Sequence, residues 1–210
     1  MDSSSFIGEE DTFMTENPPN PELVVPTESE MPKSTSVAIV AIFTATAVGT
    51  SYMLVAIPNV KLFEMIIFLA GLLFGKRIGS LVGFLSGLIY GVFNFYGASP
   101  LPLLAVQLVA YTLLGLLGGA MMRSRVRLVI TPVSQAVFAL IAIGFSLAYA
   151  LGADYVYALV IGINYLIWIL QGAVFTIILV VCNAITFGLL MPLILVKIDP
   201  IIEKLYRPPK

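Results

Sequence analysis

From Val37 onward, long apolar stretches alternate with very short polar breaks, a rhythm that predicts membrane-spanning helices. A span needs about 20 apolar residues, each rising 1.5 Å, to cross roughly 30 Å of hydrocarbon. The stretches that meet or approach this length are 37–56, 62–74, 78–93, 101–122, 132–151 and a last one ending near Val196. The second is short for a full crossing. It must borrow flanking residues, tilt little, or sit where protein surrounds its ends. Between 155 and 196 the apolar run is long enough for two crossings, interrupted only weakly at Gln171 and Gly172.

The basic residues decide between one crossing and two. Lys76 and Arg77 lie in one break, Arg123, Arg125 and Arg127 in another, and Lys197, Lys204, Arg207 and Lys210 follow the last span. The remaining breaks hold Lys61 and Asp154 as their only charges. Cytoplasmic loops carry the excess of Lys and Arg, so the three basic sites belong inside. Two crossings after Tyr155 would carry the basic C-terminus outside. One crossing over 172–196 is therefore expected, with 155–170 lying along or folding into the outer face. The predicted fold class is an all-α membrane protein, a compact bundle of six transmembrane helices with both termini cytoplasmic. Its expected divisions are a disordered acidic tail (1–34), a six-helix membrane domain (35–198) and a short cytoplasmic C-terminal tail (199–210).

Composition supports this division. Hydrophobic residues make up 59% of the 210 and charged ones only 11%, where a soluble domain carries about a quarter charged. The formal net charge of -1 argues against a nucleic-acid partner, which demands a basic face. Residues 1–33 hold eight acidic side chains against one lysine, among many Ser, Thr and Pro. That composition cannot bury a core, and it lacks the basic and then apolar opening of a secretory signal.

The chemistry that is missing narrows the function. The chain has no histidine and a single cysteine, Cys182, inside an apolar run. No disulfide, metal cluster or histidine-dependent nucleophile can be built from these, so neither metal nor cofactor is expected. Glu64 is the only acidic residue within the predicted spans, so a carboxylate pair for acid–base work is missing. There is also no phosphate-binding loop. The chain is not expected to be an enzyme, and any uphill transport must draw its energy from a partner.

Small residues form two stripes. Gly79, Gly83, Gly87 and Gly91 recur every four residues, and Gly71, Gly75, Gly115, Gly118 and Gly119 extend the theme to neighbouring spans. Such faces let helix backbones approach closely. Ala41, Ala45 and Gly49 repeat the spacing on the first span, where internal packing and docking to another membrane subunit are both open readings. Polar residues inside hydrocarbon are costly and therefore informative. Gln107 and Tyr111 sit one turn apart, and Thr176 and Asn183 share a face. Asn164, Trp168 and Gln171 fall on one helical face. Asn94 and Tyr96 end the third span, and Asn59 and Glu64 flank the first outer loop. Interhelical hydrogen bonds account for any one of these. Together, amides and aromatic rings in the outer half predict a pocket for a small, mostly neutral, flat molecule.

The stretch from Ile57 to Met121 resembles the substrate-binding membrane subunit (S component) of energy-coupling factor (ECF) vitamin transporters. The likeness is carried by the Ile57-Pro58-Asn59 turn, the glycine-bounded end of the second span (Gly71 to Gly75), the glycine-striped third span and the Gly97-x-Ser99-Pro100 turn. Ala41-x-x-x-Ala45 is similar to the Ala-x-x-x-Ala coupling face of that family. The resemblance implies capture of a vitamin or related micronutrient from outside, followed by uptake through a membrane coupling subunit and two ATPase subunits. It implies a gating loop at Ile57, Pro58, Asn59, Val60 and Lys61, and a docking face at Ala41, Ala45 and Gly49. The Phe93-Asn94-x-Tyr96-Gly97-x-Ser99-Pro100 turn looks closest to members taking cobalamin-like corrinoids. The long acidic tail departs from the family's usual short start. The alternative reading is a non-catalytic membrane scaffold, such as a cell-shape or envelope assembly subunit.

Overall fold

The computed structural model describes residues 31–57, 62–95, 97–122 and 131–206, with side chains as far as Ile198. The acidic tail as far as residue 30, the segment 123–130 with its arginine cluster and the last four residues lie outside the described residues, as do Pro58 to Lys61 and Tyr96. Among the described residues all regular structure is helical: α1 (Lys33–Met53), α2 (Phe63–Phe74), α3 (Lys76–Val92), α4 (Leu101–Ala120), α5 (Pro132–Ile161), α6 (Tyr165–Ile185) and α7 (Met191–Tyr206). A π-helical turn, Thr186–Leu190, joins α6 to α7 without a break. Four helical rods are long and apolar enough to cross a membrane: α1, α4, α5 and the α6–α7 rod from Tyr165 to Ile198.

α2 is not among them. Its 12 residues reach about 18 Å at 1.5 Å per residue, well short of the hydrocarbon thickness. Every residue from Phe63 to Leu73 is buried, so the helix is sheathed by protein and needs no lipid-matched length. A single residue, Gly75 at φ 100°, separates α2 from α3. That backbone conformation is open to glycine at little cost, and it folds α3 back along α2. Lys76 and Arg77 open α3 here and define the basic end of the molecule.

The sequence reading of the last third needs correction. α5 does not stop at 151 but runs on through Gly152 to Ile161, and the final rod starts at Tyr165 rather than 172. The 155–170 segment is therefore not a surface or re-entrant piece but the tip of an antiparallel hairpin. Gly162, at φ 75°, ends α5. Its N–H and that of Ile163 both donate to the Ala158 carbonyl, at 2.9 and 3.0 Å. Asn164 then caps α6 by accepting from the Leu166 N–H at 2.9 Å, which satisfies a donor that hydrocarbon could not. Gly152 within α5 costs about 1 kcal/mol relative to alanine. That is far less than leaving backbone groups unbonded in an apolar medium.

α2 is the axis of the core. Phe68 meets Phe138 of α5 at 6.2 Å and Phe187 of the π turn at 5.4 Å. α5 turns a four-residue repeat inward, Ser134, Phe138, Ala142, Ser146 and Ala150. The Asn183 amide donates to the Ser146 hydroxyl at 2.8 Å, with both residues buried. The π turn falls just before Pro192. Proline offers no N–H to the preceding turn and crowds the carbonyl four residues back, and the wider turn absorbs that conflict. At its far end α6 stands apart from the rest: Leu179 and Asn183 are its only buried residues.

Candidate functional site

Three places hold the residues singled out in the sequence. The first is a filled interior between α2, α3 and α4. Glu64 is fully buried there, beside the rings of Phe63 and Tyr111, 4.8 Å apart. Tyr90 meets Phe63 at 5.2 Å and Tyr149 meets Tyr111 at 5.4 Å. Gln107, also buried, accepts from the Ser99 hydroxyl at 3.2 Å. Glu64, Gln107 and Tyr111, expected to line a pocket, are thus buried among aromatic rings of the bundle, and none of them lines the cavity described next.

The glycines act as the spacing predicts. A Cβ on Gly83 would strike the Tyr111 carbonyl, one on Gly118 the Phe68 carbonyl, and one on Gly119 the Lys76 backbone. Gly79, Gly83, Gly87 and Gly91 are all buried. Around this line α2, α3 and α4 touch backbone to backbone.

The second place is a cavity of 370 Å³ between the far halves of α5 and α6. Its lining includes Tyr149, Asp154, Trp168, Gln171, Phe175 and Thr176. The Trp168 indole N–H donates to Asp154 Oδ1 at 3.1 Å, and its ring lies 4.9 Å from Tyr157. Trp168 and Gln171 both line this cavity. Asn164, expected on the same face, is exposed and spends its side chain on the helix cap. Asn94 is half-buried at the end of α3, and its carbonyl accepts from the Gly97 N–H at 3.0 Å. Within the expected gating loop, Ile57 is described and is exposed. Asn59 and Tyr96 fall in the segments not described.

Sequence reasoning missed Asp154, because it was assigned to a connection rather than to a helix. A signal was available: between Arg127 and Lys197 it is the one charged residue, and an isolated acid in an apolar run marks function. Tyr149 was missed as well. It lines the cavity and packs against Tyr111, so it forms the wall between the cavity and the filled interior.

No family model, curated protein or solved structure matches this chain.

The third place is the outer face of α1. Ala41, Ala45 and Gly49 are exposed, whereas Val40, Thr44, Ala47, Val48 and Ser51 turn inward. A Cβ on Gly49 would meet nothing within 4 Å. These three positions do not pack against the rest of the described bundle. They present a shallow face flanked by exposed Val37, Ile42 and Met53.

Proposed function

We propose that the chain is the substrate-capturing membrane subunit of an ECF-type transporter, non-catalytic in itself and driven by a coupling subunit and two ATPases. The observation that carries this reading is the outward-facing Ala41–Ala45–Gly49 stripe. Small residues have no packing task inside the bundle on that face, and such faces serve close helix–helix association in lipid. The basic end, with Lys76 and Arg77, then lies in the cytoplasm with both termini. The α2–α3 hairpin completes six helical passes, and the α5–α6 cavity opens toward the outside. A cobalamin-like corrinoid exceeds a cavity of 370 Å³, so a compact micronutrient is the substrate class carried forward.

The test separates docking from capture. In cells supplying the coupling subunit and ATPases, Ala41→Leu combined with Ala45→Leu should abolish uptake, at least a hundredfold below wild type. Binding of the ligand that co-purifies with the chain, identified by mass spectrometry, should stay within twofold. Equal loss of binding and uptake would mean that the alanines support the fold, and docking through α1 would be wrong.

A scaffold reading draws on a different observation, the interior closed by Phe63, Tyr90, Tyr111 and Tyr149. It predicts that deletion alters cell shape and leaves growth on limiting micronutrients unchanged. The transport reading predicts the reverse.

A further inference from the structure

Asp154 is the one charged side chain between Arg127 and Lys197. It lies 22 residues into α5, about 33 Å from the start of that helix at 1.5 Å per residue, near the far edge of a roughly 30 Å hydrocarbon layer. Lys76 and Arg77 sit at the opposite end of the bundle. Trp168 gives Asp154 one neutral hydrogen bond, and among the described residues no basic side chain joins it in the cavity wall. The surrounding walls are π faces: Tyr149, Trp168 and Phe175, with Trp168 held in place by its bond to Asp154 and by Tyr157 behind it.

A carboxylate at the edge of a low-dielectric layer attracts a cation far more strongly than it would in water. Aromatic faces add attraction for the same charge through their quadrupoles, most effectively for quaternary or delocalised nitrogen. Gln171 and Thr176 supply neutral polar groups to fix orientation. The 370 Å³ volume falls within the usual span of small-molecule sites.

We infer that the α5–α6 cavity binds a compact organic cation, a quaternary or aromatic ammonium head held against Asp154 between Tyr149, Trp168 and Phe175. The inference deepens the transport reading and rests on it for biological meaning. It also revises the mostly neutral ligand expected from sequence, because Asp154 belongs to the site.

Trp168 is the only tryptophan in the chain, so its fluorescence reports this cavity alone. The full chain in lipid nanodiscs is titrated with benzyltrimethylammonium, with benzyl alcohol and phenylacetate as neutral and anionic counterparts. The cation is expected to give a saturable change in Trp168 emission, at least tenfold tighter than either counterpart. Asp154→Asn keeps an oxygen for the indole N–H and should weaken the cation at least tenfold without shifting the unliganded emission maximum. If that variant fails to fold, Phe175→Leu replaces it, with a threefold or greater weakening expected. No saturation, equal response to the neutral or anionic probe, or variants that bind like wild type would each overturn the inference. An Asp154-dependent cation site in a chain that recruits no coupling subunit would sink the transport reading alone. A coupled transporter whose co-purified ligand is neutral or anionic would sink the cation site alone.

Discussion

Gly115→Val is expected to prevent the chain from accumulating as folded protein. A Cβ at Gly115 would strike the Gly79 carbonyl and lie 3.0 Å from the Ser80 nitrogen. Gly79 in turn faces the Gly115 carbonyl, and a Cβ there would come within 2.5 Å of Gly71 Cα. Three helices therefore meet through backbone atoms, which cannot move aside by changing rotamer. Overpacking of ordinary cores costs about 1–3 kcal/mol. With backbone on both sides the cost should reach or exceed the upper end, a large share of the 5–15 kcal/mol that holds most proteins folded. Size-exclusion profiles and melting of detergent-solubilised protein should show loss of the monodisperse peak, or a melting temperature lower by about 10 °C. Gly144→Val is the control. Its Cβ meets nothing within 4 Å, and valine is a better helix former than glycine, so folding should be retained. If both variants behave alike, close backbone contact is not what makes Gly115 necessary.

That contact was legible in the chain because spacing alone carries it. Residues four apart share a helical face whatever the surroundings, so Gly79, Gly83 and Gly87 announced a tight seam before any fold was known. The tip of the α5–α6 hairpin was not legible in the same way. Gly162 and Asn164 stand in an unbroken apolar run, and Gln171 with Gly172 looked like the stronger interruption. Polarity was the wrong guide there. Gly162 ends a helix by its backbone freedom and Asn164 starts one by capping it, and neither role requires a polar cluster. The count of basic residues predicted a single rod after that tip although the boundaries were misplaced, because charge bias reports sidedness and not helix ends.

The pocket was half legible for a related reason. Trp168 and Gln171 could be paired by periodicity within one helix. Their partner Asp154 lies across the turn, 14 residues earlier in sequence, and only the fold makes them neighbours. Glu64 was legible as the one acid inside a predicted span, but not its full burial, which follows from α2 being enclosed by its neighbours from Phe63 onward.

The same burial makes Phe68 the second residue whose loss should be severe. Its ring touches Phe138 and Phe187, which joins the α1–α4 bundle to both α5 and the π turn. Phe68→Ala would empty a site of zero exposure, and truncations of buried phenylalanine cost about 3–5 kcal/mol. In lipid the penalty comes from lost van der Waals contacts rather than from water, because the lipid tails offer no hydrophobic driving force between helices. The damage should be directional. Hydrogen exchange should accelerate at least tenfold across α6 and the π turn, while α2, α3 and α4 keep the protection given by their glycine seam. Cation affinity should fall with it, although Phe68 does not line the cavity, because α5 and α6 would lose the anchor that fixes their separation. Phe84→Ala, which removes a ring that is 42% exposed, should change neither readout. If exchange instead rose evenly through all helices, Phe68 would be a general core residue, and the α5–α6 hairpin would not be a separately anchored unit.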